Sequence, residues 1–570
     1  MTVAPKRPAM TLAAHFPERT EVEWRELAAA VVNKSRPEGQ GLGAADAVAS
    51  MRTALEGGLE VDPLYTRPAD PAPLGVPGAM PFTRGRALRD ADVPWDVRQL
   101  HDDPDAATTR SAVLTDLENG VTSVWLHVGA DGVAPADVAE ALADVRLELA
   151  PVVVSSWDAQ VEASDALYAV LSRSAASSGN LGLDPVGAAS RTGGEVDLAP
   201  LAGAVRRLSD RGEIRAVTVD ARVHGDAGAS TTDELAFAVA TGVAYLRHLE
   251  SEGVDVAEAF RHIEFRVSAT ADQFLTAASL RALRRVWARV GESIGVPEAD
   301  RGARIHAVTG GRMFTRDDAW TNILRSTLAT FGASLGGADA ISVLPFDTVS
   351  GLPTTFSRRI ARNTQILLAE ESNVARVTDP AGGAWYVESL TDEVAQAIWT
   401  AFQEVERAGG IVDALANGVV AQRISDAVAE RDTALANRSK PLTGVSMFPL
   451  AGEQPLERAS RAELPVAANA LVPHRDSAAF EALRDRSAAF AAEHGHAPRV
   501  AVPTLDVPRA ADRRIDAVNL LTVAGIDAVA ADAEAEATLG VGDTAYEGVS
   551  KGMDVVAFLS SLLDETGAPA

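Results

Sequence analysis

Ile214-Arg-Ala-Val-Thr-Val-Asp220 is a short β-branched run ending in an aspartate, and Thr231-Thr-Asp-Glu-Leu-Ala-Phe-Ala-Val-Ala240 opens a helical pattern soon after it. A strand that stops on a polar residue and gives way to a helix is one βα unit. The same rhythm predicts strands at Val121–Val128, Leu149–Ser155 and Gly179–Leu183 before this run, and at Ile263–Ser268, Ile305–Thr309, Ala340–Leu344 and Val374–Val377 after it. Helices are expected at 134–146, 158–172, 198–210, 231–250, 271–291, 316–334, 354–371 and 389–408. Eight consecutive βα units over roughly 270 residues match a TIM (β/α)8 barrel. An open doubly wound sheet, the alternative, rarely needs eight evenly spaced strands. Thr231…Glu234, Thr270…Gln273 and Thr315…Asp318 read as capping boxes, and Gly336-Gly337 as a helix stop.

Outward from the barrel the pattern changes. Residues 1–84 hold amphipathic stretches at Trp24–Val32 and Ala44–Leu55 among Pro-rich connections, with apolar residues (Phe16, Trp24, Leu64, Tyr65, Phe82) and too little core to fold alone. They read as an extended arm wrapping a partner, followed by the barrel at 85–408. Residues 409–496 form a helical linker, with helices expected at Val412–Ala436 and Ala478–Glu493 around a Pro-broken stretch. Residues 497–570 return to α/β character, with strands at Arg499–Pro503 and Gly525–Val529 and helices at Arg513–Ala524 and Val555–Leu563. They read as a shortened flavodoxin-like domain.

Composition narrows the function. The chain has 570 residues with 47% hydrophobic and 23% charged, as expected for a core-forming protein. A net charge of −27 argues against general nucleic-acid binding and against attraction to an anionic membrane. Zero cysteines exclude disulfides, thiolate nucleophiles and Cys-ligated metal sites. Lysine occurs at Lys6, Lys34, Lys440 and Lys551 alone. No apolar run approaches the ~20 residues of a bilayer span, and the first residues lack a signal peptide's apolar core, so a soluble, cytoplasmic protein is expected.

No P-loop, no GxGxxG between strand and helix and no HExxH occurs. Barrel chemistry sits at the C-terminal ends of strands. Those ends offer His127, Asp220 with His224, Ser268, Thr309 and Asp347. His224 could be a general acid or a polar loop residue; His127 and His306 lie within strands and read as hydrogen-bonded core histidines. Arg358-Arg359…Arg362 could meet phosphates or form a solvated face. Asp379-Pro-Ala-Gly-Gly383 forces a turn. Residue types and spacing alone assemble no catalytic constellation.

Five segments carry a resemblance: Val61-Asp-Pro-Leu-Tyr-Thr66, Pro77-Gly-Ala-Met-Pro-Phe-Thr-Arg-Gly85, Pro94-Trp-Asp-Val-Arg-Gln99, Phe356-Ser-Arg-Arg-Ile-Ala-Arg-Asn-Thr-Gln365 and Asp379-Pro-Ala-Gly-Gly-Ala-Trp-Tyr-Val-Glu388. In order and spacing the chain resembles the methylmalonyl-CoA mutase family from about residue 50 to 390 and more loosely beyond. The resemblance implies an arm, a TIM barrel, a linker and a flavodoxin-like cobalamin domain.

Departures from the family pattern set the functional expectation. Catalytic members carry Tyr-Pro-Thr-Met-Tyr after Phe-Thr-Arg-Gly; here Arg86-Ala-Leu-Arg-Asp-Ala-Asp92 follows, and no tyrosine stands between Tyr65 and Tyr168. The family's catalytic histidine, in the loop placed after the fourth strand, aligns with Val223, one residue before His224. The hydrogen-bonding serine and glutamine placed on the sixth strand align with Ala307 and Val308 in His306-Ala-Val-Thr-Gly-Gly311. The cobalamin loop Asp-x-His-x-x-Gly aligns with Pro508, Ala510 and Arg513, and no histidine follows His496. The resemblance thus implies no catalytic, cofactor or metal residues in this chain. It implies a non-catalytic small (beta) subunit, paired in a heterodimer with a catalytic large (alpha) subunit. That partner binds adenosylcobalamin and interconverts succinyl-CoA and methylmalonyl-CoA. Residual acyl-CoA binding by this chain stays open. The competing expectations are an isobutyryl-CoA-mutase-like barrel subunit using cobalamin from a separate protein, and an acyl-CoA-binding regulator.

Overall fold

A computed structural model describes residues 17, 19–37, 39–69, 74–90, 93–542 and 545–569. Lys6, Phe16, Ala91 and Asp92 lie outside the described residues. The chain forms two compact units that divide between Asp70 and Pro71, whereas the sequence reading ended its arm at 84.

In the first unit, helix Glu21–Val32 starts at Thr20, whose side chain accepts from the Glu23 backbone N–H while the Glu23 carboxylate reaches back. The Asn33 amide clasps Leu42 through both backbone groups, at 3.0 and 2.8 Å. Helix Ala44–Ala49 and an antiparallel pair, Thr53–Ala54 with Glu60–Val61, complete the unit. Its buried apolar residues, among those described, are Ala29, Ala47, Leu59 and Val61.

The second unit is built on a closed barrel of eight parallel strands. These are β1 (Asp96–His101), β2 (Ser123–His127), β3 (Val152–Ser155), β4 (Gly179–Leu183), β5 (Ile214–Asp220), β6 (Ile263–Ala269), β7 (Arg304–Thr309) and β8 (Ala340–Ser342). β8 closes on β1 through Ala340↔Asp96 and Ile341↔Val97. The strand count matches the sequence reading, but two expectations need correction. Val374–Val377 is not a strand: Val374–Arg376 is a single 3₁₀ turn entered through left-handed Asn373. The missing strand is β1, so Ile214–Asp220 is the fifth barrel strand rather than the fourth and Arg304–Thr309 the seventh rather than the sixth. β1 escapes the alternation rule because Arg98, Gln99 and His101 are all buried. Within β4, Gly182 has φ +72°, and a Cβ there would meet the Val154 carbonyl oxygen at 2.1 Å, so the strand bulges where only glycine fits.

Helix starts also differ. Ser230, not Thr231, caps helix Thr231–Ser251, and Asp272, not Thr270, caps Gln273–Ser293. Thr315 bonds the Asn322 side chain instead of capping, while Thr354 and Ser357 form a capping box that the pattern did not flag. The glycine stop at Gly336 stands. The linker helix breaks at left-handed Gly418 into Ile411–Ala416 and Val419–Ala436. Beyond helix Ala478–His494 lie β9 (Arg499–Val502), β10 (Asp527–Ala530) and β11 (Ala537–Thr538), parallel in the order β10-β9-β11, with helices Ala510–Val523 and Val555–Thr566. Linker residues Leu435, Phe480, Leu483 and Phe490 share one core with Val500, Val502, Leu520 and Leu559, so this small sheet is not packed as a separate body.

Candidate functional site

The motifs that carry the resemblance meet one another in space. Arg84 donates to Asp379 at 3.1 Å, and Asp379 also pairs with Arg281, which reaches Glu388 at 2.8 Å. The Trp95 indole N–H donates to Gln365 at 3.0 Å. Their shared role is to hold the barrel together. Arg362 is neither a phosphate ligand nor a solvated residue, because it donates to buried Asp116 at 2.6 Å.

The barrel lumen is filled by charge held in layers. Low in the barrel, buried Arg98 donates to Glu264 at 2.9 Å and to Ser123, with Arg304 near the same carboxylate at 3.4 Å. Burial pushes the Glu264 carboxyl up, but Arg98, Arg304 and Arg215 outweigh it and hold the pKa at about 2. Above lies Trp125, with the Arg266 guanidinium 4.2 Å and the Arg222 guanidinium 4.7 Å from its ring centroid. Both arginines clamp Asp220, at 2.9 Å from Arg266 and 2.7 Å from Arg222. Burial raises the Asp220 pKa, yet the two cations leave it below the usual carboxylate range. His306 is fully buried, its pKa driven well below the ordinary value by burial and then by Arg98 and Arg266. As a neutral ring it accepts from Arg266 Nε through Nδ1 at 3.0 Å, which leaves Nε2–H to donate to Ser342 at 2.7 Å. A small apolar cluster of Trp125, Val153, Val308, Phe314 and Leu344 seals the upper end.

The positions singled out in the sequence fall around this plug. Val223 is buried in the short helix Arg222–Asp226 after β5. His224 turns away from the axis to Ser190, at 3.3 Å, and packs edge-on against Phe237 at 5.2 Å. Burial lowers its pKa to about 4, so the ring is neutral and unsuited to donate as a general acid near pH 7. His127 bonds Ser155 at 2.9 Å and Asp131 at 2.7 Å, and Thr309 accepts from the Leu344 backbone. Ala307 and Val308 are fully buried. Ser268 stands beside Glu234, its backbone N–H donating to that carboxyl at 2.7 Å. Burial, with Asp226 nearby, pushes the Glu234 pKa up to about 8.

Sequence reasoning missed the feature that closes the mouth. The linker stretch 458–476 crosses it as a strap. Arg458 Nε donates to fully buried Asp347 at 2.5 Å, and the Ala459 carbonyl accepts from Leu352 at 2.8 Å, both just after β8. Arg461 pairs with Asp102, the residue after β1. On the opposite side, Ala467 and Leu471 donate backbone N–H groups to Thr192 and Ser190, in the helix after β4. His474 donates likewise to Asp226 after β5, and Asp476 to Arg312 after β7. No side-chain pattern marks these rungs in the sequence, since most are backbone bonds.

The cobalamin implied by the resemblance finds no fit in the C-terminal sheet. After β9, the loop holds Pro508 and left-handed Arg509, while Ala510 and Arg513 already belong to the helix. Arg514 donates to the Val502 carbonyl at the strand's C-terminal end. His496, the last histidine, precedes β9 and therefore stands at the other end of the strand. Among the described residues no cluster of His, Asp and Glu is arranged to hold a metal ion, and no helix is long and apolar enough to cross a membrane.

Comparison with known proteins follows the same line. The methylmalonyl-CoA mutase family profile matches residues 209–492. The chain is 47% identical over 552 residues to the methylmalonyl-CoA mutase small subunit of Streptomyces virginiae, covering 94% of this chain and 88% of that one. It is 47% identical over 486 residues to the small subunit from Propionibacterium freudenreichii subsp. shermanii, covering 84% of this chain and 76% of that one. Against the methylmalonyl-CoA mutase of Cereibacter sphaeroides, identity is 29% over 489 residues, covering 78% of this chain and 69% of that one. Barrel, reduced C-terminal sheet and sequence likeness agree: the chain belongs to the methylmalonyl-CoA mutase family, among its small subunits.

Proposed function

We propose that this chain is the non-catalytic half of a heterodimeric, adenosylcobalamin-dependent mutase, an isomerase acting in the cytoplasm. The large subunit would bind the corrin and the acyl-CoA and interconvert succinyl-CoA and methylmalonyl-CoA. This chain contributes structure: an arm that ends at the division between Asp70 and Pro71, a barrel unit to 408 that includes Phe82 and Arg84, a linker at 409–496 and a degenerate sheet at 497–570 sharing the linker's core. The observation that carries the reading is the filled lumen. Trp125, Arg98 and Arg266 are among the largest fully buried side chains, and they meet across the barrel, Arg98 of β1 with Glu264 of β6 and Arg266 of β6 with Trp125 of β2. A barrel packed with paired charge has no room for a threaded acyl-CoA, and emptying it would strand buried ions. The same plug weighs against the isobutyryl-CoA-mutase-like reading and against retained acyl-CoA binding. Val223, Ala307 and Val308 offer no proton donor or carboxylate partner, and Pro508, Ala510 and Arg513 offer no ligand to cobalt. Corrin stoichiometry tests the proposal: the co-purified heterodimer should bind one adenosylcobalamin, and the isolated chain should give no spectral change on titration. Two corrins per heterodimer, or turnover by this chain alone, would overturn it.

A further inference from the structure

Helix Asn322–Leu335 lies outside the barrel between β7 and β8, and its outward face is mostly apolar. Inward, Ala329, Thr330 and Ala333 are fully buried. Outward stand Leu324, 64% exposed, and Leu328, 42% exposed, with Ile323 and Phe331 partly exposed beside them. The one charged residue of the helix, Arg325, is buried and engaged with Thr315, Asn322 and the Thr443 carbonyl. Trp320, 52% exposed, stacks on Phe346 at 4.7 Å just before the helix. Phe356, 44% exposed, meets Trp320 edge-on at 6.3 Å. By contrast, the neighbouring helix Gln273–Ser293 presents Arg285 and Arg289 to solvent, each in an ion pair.

A helix whose solvent-side face carries Ile323, Leu324, Leu328, Phe331 and Leu335, with Thr327 as its one polar residue, reverses the usual polar-outward pattern. The uncovered apolar surface here is on the order of 500 Å², near the upper end of what a monomer leaves open. It is a substantial part of the ~800 Å² that each partner contributes to a standard interface. The helix puts no charge on this face, and the guanidinium of Arg359, 5.4 Å from the Phe356 ring centroid, marks its polar edge, an apolar centre with a charged rim as interfaces have. With a net charge of −27 and no lysine in the helix, a membrane surface is a poor occupant.

We infer that this face, centred on Leu324 and Leu328 and edged by Trp320 and Phe356, docks against an apolar face of the catalytic large subunit. The inference rests on the pairing proposed above and adds where the barrel itself engages. Two variants test it by co-expression with the large subunit and size-exclusion chromatography: Leu324→Glu with Leu328→Glu, and the milder Leu324→Ser with Leu328→Ser. Both positions are exposed, so circular dichroism melting should match the unmodified chain. The glutamate pair should weaken heterodimer affinity at least tenfold, and the serine pair less. Unchanged pairing by the glutamate variant, while the unmodified chain pairs, would overturn the inference and leave the pairing intact. Failure of the unmodified chain to pair would instead sink the pairing reading, and the inference with it. Homodimers of the unmodified chain that vanish in the glutamate variant, with heterodimers unaffected, would assign the face to a second copy and overturn the inference.

Discussion

Glu264 and Glu234 are both buried in one barrel, yet their surroundings push them in opposite directions. Glu264 sits among arginines and titrates at about 2; Glu234, buried at the start of helix Thr231–Ser251 beside Ser268 and Asp226, titrates at about 8. An unfolded glutamate titrates at ~4.3. Between that value and 2 the unfolded chain binds the extra proton at Glu264, so its contribution is full above pH ~4.5 and fades as pH falls. For Glu234 the folded chain binds the extra proton, so stability is lost as pH rises from ~4.5 towards 8. Glu264→Gln should therefore be destabilised most near neutrality, its deficit shrinking by about 1.4 kcal/mol per pH unit in acid. Glu234→Gln should gain on the unmodified chain by about the same amount per unit as pH rises, because glutamine can still accept from the Ser268 N–H. Urea midpoints at pH 3.5, 5 and 8 measure both, and parallel curves would refute the assignment. Burial of the positions singled out in the sequence was legible from their side chains alone. Val223, Ala307 and Val308, the positions the proposed function reads as degenerate, are each a buried apolar side chain.

Among elements, legibility followed chemistry. Strands β2 to β7 were visible because aliphatic residues such as Val124, Leu126, Val152 and Val154 occupy much of the buried surface. β1 was not, because its inward Arg98 and its buried Gln99 and His101 imitate a solvated segment. Val374-Ala-Arg-Val377 imitated a strand by alternation, but left-handed Asn373 turns the chain into a 3₁₀ turn. The strap was invisible because its backbone bonds leave no residue pattern. Its geometry still makes it testable. Gly351 has φ +144°, and a Cβ there would stand 2.3 Å from the Ala459 carbonyl oxygen. Gly351→Ala should lift the strap at that end, raising hydrogen exchange at Leu352, while amides of β5 and β6 remain protected. Uniform exchange changes across the barrel, or none at Leu352, would show that the strap is not an independent element.

At the scale of the molecule, the division between Asp70 and Pro71 sets where the chain can be cut. A cut at 84 would take away Phe82, which is fully buried, and Arg84, which holds Asp379. A chain beginning at Pro71 keeps both. It should melt at the same temperature as the full chain and lose most of its affinity for the large subunit; undiminished co-elution would show that the first unit takes no part in pairing. The strap also orders events during synthesis. Asp102 and its partner Arg461 are 359 residues apart. At about 5–20 residues per second, tens of seconds pass on the ribosome between the emergence of one and of the other. The apolar cluster of Trp125, Val153, Val308, Phe314 and Leu344 is complete once the stretch after β8 is in place, whereas the strap's contacts with Asp347 and Asp102 wait for Arg458 and Arg461. Sealing is a late step between residues distant in sequence, and such closures are slow. The strap is therefore the last part of this end of the barrel to be made, after the strands and the apolar cluster beneath it.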